Sequence, residues 1–303
     1  MKRIVIVGSG NFGANAALYL AEQNLGHVTL MDSTVGLARG KALDLMEAAP
    51  IRGTNIFVQG CNDLSGLEGA DVVILAADVS RKVGVAEEVL YKENLEVIGL
   101  ILPEVKRLAP GAILMIQREP VAALTLKAIR DFGFEPRRVI GLTGLLETAR
   151  FRVFMARALN AAPEDSAAMV IGGPGEHMIA LTQFANLAGI PLTELLSPAQ
   201  IDTIIQQTRQ SDEELLGLLR LGPPYYAHAA ALAGLVAAIV RDHKRYLPVT
   251  VYAQGQYGFK DVCLCLPALI GARGVEKILE LELTRPQLAS LTEVVSKING
   301  LAA

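Results

Sequence analysis

Along the first half of the chain, short β-branched apolar runs alternate with longer segments in which apolar residues recur at helical spacing. The runs at 4–7, 27–31, 55–58, 72–76, 113–116 and 139–142 predict strands, and the stretches 11–22, 35–47, 87–108 and 121–132 predict helices. Parallel strands cannot be joined by a tight hairpin and need a crossover element. The alternation therefore predicts an α/β fold with a doubly wound, Rossmann-type parallel sheet. Beyond 144 the pattern changes: a helix at 145–159, a strand at 168–171, a glycine-rich turn at 172–175, and long helices at 198–219 and 225–241. Hairpin-like runs at 249–253 and 262–266 precede a last helix at 285–299, with Pro286 in its first turn. This half reads as a second, α+β domain. No repeat or low-complexity linker marks the joint, so the change of pattern places it at 141–144, dividing the chain into 1–142 and 143–303.

The first strand runs directly into Gly8-Ser9-Gly10-Asn11-Phe12-Gly13, a G-x-G-x-x-G turn that opens a helix, and Asp32 stands at the end of the second strand. That context gives the motif its meaning. The first glycine allows the tight turn, the second lets the backbone approach a pyrophosphate, and the third lets helix and strand pack closely. Free N–H groups at the helix start favour phosphate. Gly8, Gly10, Asn11, Phe12, Gly13 and Asp32 are the cofactor candidates, and the Asp32 carboxylate suits a ribose hydroxyl and repels a 2′-phosphate, so the cofactor expected is NAD.

Composition narrows the classes. With 303 residues, 51% of them hydrophobic and 19% charged, the chain has ample material for two cores and none of the signature of disorder. A net charge of −3 and the lack of a basic run argue against nucleic acid. No apolar stretch reaches a membrane-spanning length and no secretory signal is evident, so a cytoplasmic chain with reduced Cys61, Cys263 and Cys265 is expected. No metal-ligand spacing stands out. The histidines are His27, His177, His228 and His243, and any histidine chemistry must use one of these.

Further segments complete a pattern: Gly40-Lys41-Ala42-Leu43-Asp44-Leu45, Arg81-Lys82-Val83-Gly84, Ala149-Arg150-Phe151-Arg152, Gly172-Gly173-Pro174-Gly175, Gly189-Ile190-Pro191, Tyr225-Tyr226-Ala227, Gly255-Gln256-Tyr257-Gly258 and Gly271-Ala272-Arg273-Gly274-Val275-Glu276. In this order, over nearly the whole chain, they resemble the lactate/malate dehydrogenase family, and most of all its bacterial malate dehydrogenases that look like lactate dehydrogenase. The resemblance implies hydride exchange between NAD and a small dicarboxylic 2-hydroxy or 2-oxo acid. It also implies a homodimer or homotetramer, with the helix carrying Lys41 and Asp44 packed between subunits. Arg81 matches the arginine that selects dicarboxylic acids and Arg150 the carboxylate clamp, a role suited to a planar guanidinium.

Other positions depart from the family. Pro174 replaces the acid/base histidine, Glu147 the aspartate that orients it, Glu87 the arginine that polarises the carbonyl, and Glu119 an asparagine beside the nicotinamide. Asp78 takes a glycine position next to the cofactor. A missing general acid/base alone lowers rates by ~10²–10⁴. The substitutions lead to the expectation of a non-catalytic or divergent paralogue without the standard malate dehydrogenase turnover and with weakened NAD binding. The alternative is an active NAD-dependent malate dehydrogenase with a relocated acid/base, for which His177 and His228 are the candidates. A third reading, a hard cation held among Glu87, Glu119, Glu147 and Glu176, competes with salt bridges to Arg81, Arg118 and Arg150.

Overall fold

The computed structural model describes residues 1–55, 57–76, 86–220 and 222–302. In the first half the apolar runs become strands joined by crossover helices: β1 (Arg3–Val7), α1 (Asn11–Glu22), β2 (His27–Met31), α2 (Leu37–Arg52), β3 (Val58–Cys61), β4 (Val72–Leu75), α3 (Glu87–Leu108), β5 (Ile113–Ile116), α4 (Val121–Arg130) and β6 (Val139–Gly141). The strands pair in parallel in the order β3-β2-β1-β4-β5-β6. Because helices cover both faces, β4 and β5 are buried along their whole length, which is why they read as unbroken apolar runs. This is the doubly wound sheet that the alternation predicts.

The second half holds α5 (Leu145–Ala158), β7 (Ser166–Ala167), β8 (Val170–Gly172), β9 (Met178–Ala180), β10 (Asn186–Leu187), β11 (Ile190–Pro191), α6 (Leu192–Leu195), α7 (Pro198–Leu219), α8 (Tyr226–Val240), β12 (Arg245–Gln254), β13 (Lys260–Gly271), β14 (Gly274–Ile278) and α9 (Arg285–Ala302). Its strands continue the same sheet in antiparallel sense: β12 meets β6 where Thr250 faces Gly141, and β13, β8 and β9 follow, with β14 on β13. β7, β10 and β11 form a small separate sheet.

Two departures from the sequence expectation have physical causes. β3 lies at Val58–Cys61, not at 55–58. Gly60 is why: a Cβ there would stand 2.3 Å from the Ala38 carbonyl carbon, so the glycine allows α2 to cross directly over the strand. β12 and β13 outrun the expected 249–253 and 262–266, because pairing carries through Pro248 and Pro267, which sit opposite each other.

One contact positions the site. Beyond Tyr226 and His228 in its first turn α8 is apolar all round, and it packs against α1 and β13. Ala16, Ala17 and Leu20 of α1 share a core with Leu232, Ala233 and Val236 of α8, and all six are buried. The helix that follows the glycine turn is thereby fixed to the helix that carries His228. Among the described residues, no helix is long and apolar enough to cross a membrane.

Candidate active site

The turn after β1 is shaped by what its glycines lack. Gly8 sits at φ +112°, and its N–H donates to the Met31 carbonyl at 2.8 Å. A Cβ on Gly13 would lie 1.9 Å from the Gly8 carbonyl oxygen, so only glycine lets α1 pack onto the strand. A Cβ on Gly10 would meet nothing within 4 Å, which leaves open space above the turn. No side chain caps the start of α1. Its first N–H groups and their partial positive charge are left for an anion. Lys41 of α2 donates to the Ser9 carbonyl at 2.6 Å and braces the turn from behind.

Asp32 follows β2. Its carboxylate accepts from Ser9 N–H at 2.9 Å, Ser9 Oγ at 2.8 Å and Thr34 N–H at 2.9 Å. Burial pushes the carboxyl upward, but the hydrogen bonds from Thr34 and Ser9 outweigh it and hold the group below its ordinary range. The acid is therefore a fixed anion. The open turn, the uncapped helix and this carboxylate together fit the adenosine half of NAD.

A cleft runs from the turn across the sheet. It is lined by Gly10–Gly13, Ala76, Asn94, Gln117, Glu119, Asp212, Pro223, Pro224, Tyr225 and His228. His228 stands in the first turn of α8, half-buried, with its Nδ1 inaccessible to solvent and without a hydrogen-bond partner. Burial lowers its pKa to about 4, against the opposing pull of Asp212 and with a smaller push from Arg150. The imidazole is neutral at physiological pH.

Behind it, Arg150 of α5 donates through Nη2 to Oδ1 of Asp212 on α7, and both side chains are largely buried. Glu147 lies three residues before Arg150, fully enclosed, with its Oε2 unpartnered. Burial drives its pKa up, and Arg150 only partly opposes the rise.

The other expected positions fall elsewhere. Pro174 precedes a single 3₁₀ turn, Gly175–His177, packed against α7 and α9, and neither Pro174 nor His177 lines the cleft. His177 Nε2 lies 3.1 Å from Lys297 Nζ on α9. Burial and that ammonium lower its pKa. Glu87 pairs with Lys297 Nζ at 2.6 Å and is not among the residues that line the cleft. The four glutamates do not converge, and among the described residues no group of ligating side chains could hold a metal. Arg81 and Asp78 lie outside the described residues.

Asp212, Lys41 and Lys297 carry contacts that the sequence reading missed. Asp212 sits in Ser211-Asp212-Glu213-Glu214, which looks like a solvated helix face, and its partner is 62 residues away. Lys41 was visible only as part of a motif expected between subunits.

A parallel sheet in this strand order, with a glycine turn and an acid after β2, defines a dinucleotide-binding protein of the doubly wound class. The family follows from comparison. Residues 2–141 match the lactate/malate dehydrogenase NAD-binding domain, and 144–299 match the α/β C-terminal domain of the same family. The malate dehydrogenase of Desulforudis audaxviator is 37% identical, covering 99% of this chain and 97% of that one. The malate dehydrogenase of Cryptosporidium parvum superposes with TM-score 0.97 at 31% identity, over 99% and 98% of the two chains. The lactate dehydrogenase of the same organism, solved with lactic acid and nicotinamide adenine dinucleotide, superposes with TM-score 0.95 at 31% identity over 99% and 96%. The chain belongs to the lactate/malate dehydrogenase family, and its first half is that family's NAD-binding domain.

Proposed function

We propose that this protein interconverts a small 2-hydroxy compound and its 2-oxo partner with NAD, and that His228 exchanges the hydroxyl proton. The observation that carries the reading is the placement of His228 in the cleft that begins at the glycine turn, while His177 points to α9. The expectation of lost turnover rests on the substituted positions alone. Full-length malate dehydrogenase relatives and a neutral histidine in the cleft favour the alternative, a relocated acid/base.

Bound NAD supplies the hydride acceptor in one direction and the donor in the other. The protein's part is proton transfer and placement. As the alcohol carbon gives up hydride, the neutral imidazole of His228 accepts the hydroxyl proton, and in the reverse direction the imidazolium, a small fraction at neutral pH and a growing one as pH falls toward about 4, returns it. Asp212 favours the protonated ring and Arg150 opposes it, so the pair sets how readily the proton is held. Arg81, as the selector of a second carboxylate, stays a proposal from the resemblance. Reduced NAD affinity is also kept: Glu119 lines the cleft, and Asp78 takes a position the family gives to glycine. Micromolar NADH affinity by calorimetry would overturn that part.

Replacing His228 by Gln should lower NADH-linked turnover of the best 2-oxo substrate by ~10²–10⁴, whereas His177→Gln should leave it within about twofold. Equal losses in the two variants would refute the assignment.

A further inference from the structure

Arg150 matches the carboxylate clamp by the family resemblance, yet it already holds a carboxylate. Its guanidinium is bonded to Asp212, and both residues are largely shielded from solvent, at 10% and 20% side-chain exposure. Glu147, one turn away on α5, adds a second carboxyl behind the same guanidinium. A carboxylate arriving in the cleft beside His228 would meet the Asp212 carboxylate in the lining, and drawing Arg150 to itself would weaken the Arg150–Asp212 pair. Removing one member of a nearly buried ion pair is strongly unfavourable. An uncharged group in the same position meets no such competition.

We infer that Asp212 is a built-in occupant of the carboxylate clamp, a specificity-determining residue that selects substrates uncharged next to the reacting carbon. The class indicated is 2-hydroxy and 2-oxo amides, or related neutral alcohols and carbonyls, and not 2-hydroxy acids. This rests on the reaction proposed above for its substrate frame. With such a substrate the alcohol C–H would leave as hydride to NAD, the O–H proton would pass to His228, and the C–O bond would become a carbonyl.

The test compares (S)-lactate with (S)-lactamide, which have the same shape and differ in charge. Each is titrated calorimetrically into the native protein, Asp212→Asn, and Asp212→Asn combined with Arg150→Gln, with and without NADH. Both compounds and NADH are reduced, so no turnover can occur. The native chain should bind lactamide more tightly than lactate. Asp212→Asn should shift the ratio toward lactate by about tenfold or more, and the added Arg150→Gln should abolish the shift. A native preference for lactate, an unchanged ratio in Asp212→Asn, or no binding of either compound by any of the three would overturn the inference. The native preference needs no variant, so a misfolded mutant cannot hide the answer. The readout is also independent of hydride transfer: a charge switch in a protein without turnover would keep this inference and remove the proposed reaction, and turnover through His228 with a lactate preference would do the reverse.

Discussion

At the residue scale the titrating groups give signed predictions. His228 titrates at about 4 in the folded chain, against 6.5 for an ordinary histidine. Its neutral form is the one the fold accommodates, so this contribution is complete above pH ~6.5 and is lost as pH falls toward ~4. Between pH 7 and pH 5 the native protein should lose about 2 kcal/mol more stability than His228→Gln, measured by chemical denaturation. Parallel pH curves for the two would mean that the ring is hydrated. Glu147 has the opposite sense: its pKa is raised by burial, so its ionisation opposes folding above ~4.5, the ordinary carboxyl value. Glu147→Gln should raise Tm at pH 8 and give a smaller gain at pH 5. A Tm lowered more at pH 8 than at pH 5 would show that the ionised carboxylate is a needed partner of Arg150.

At the scale of elements, the glycine turn is the least tolerant feature. Gly13→Ala places a Cβ 1.9 Å from the Gly8 carbonyl oxygen, so α1 must move off β1. A stability loss of about 2 kcal/mol or more is expected, with loss of NADH binding by fluorescence titration. Unchanged binding would separate the turn from the cofactor. This turn, Asp32 and the strands of the parallel sheet were legible because period and motif are local properties of the chain. The position of β3 was not, since it depends on Gly60 admitting α2 from elsewhere in the sequence. The site was legible in part. Pro174 and Glu147 could be recognised as departures from a pattern, and His177 and His228 as the available histidines. Which histidine enters the cleft depends on α8 packing against α1, while the 3₁₀ turn ending at His177 packs against α9. The pairing of Glu87 is with Lys297, 210 residues later in the chain, and neither residue type nor spacing announces that pair.

At the scale of the whole molecule, the family resemblance brings an assembly with it, and α2 supports that proposal. Its buried positions are alanines, while Leu43 and Ile51 are 61% and 86% exposed. Exposed apolar side chains on one helix suit a contact between subunits. Light scattering should give a multiple of 32.3 kDa, and Leu43→Lys with Ile51→Lys should shift it toward a single chain. A monomeric native protein at micromolar concentration would contradict the proposal. The cleft itself is built by both halves of the chain: the turn between β1 and α1 supplies the glycines, α7 supplies Asp212, which Arg150 of α5 holds, and α8 supplies the histidine. The most direct test of the central claim is NADH oxidation by the native protein and by His228→Gln, at neutral pH, against a panel of 2-oxo acids and their amides. The account predicts measurable turnover of at least one member, falling by ~10²–10⁴ in the variant. No turnover of any member by the native protein, or turnover that survives in His228→Gln, would contradict it.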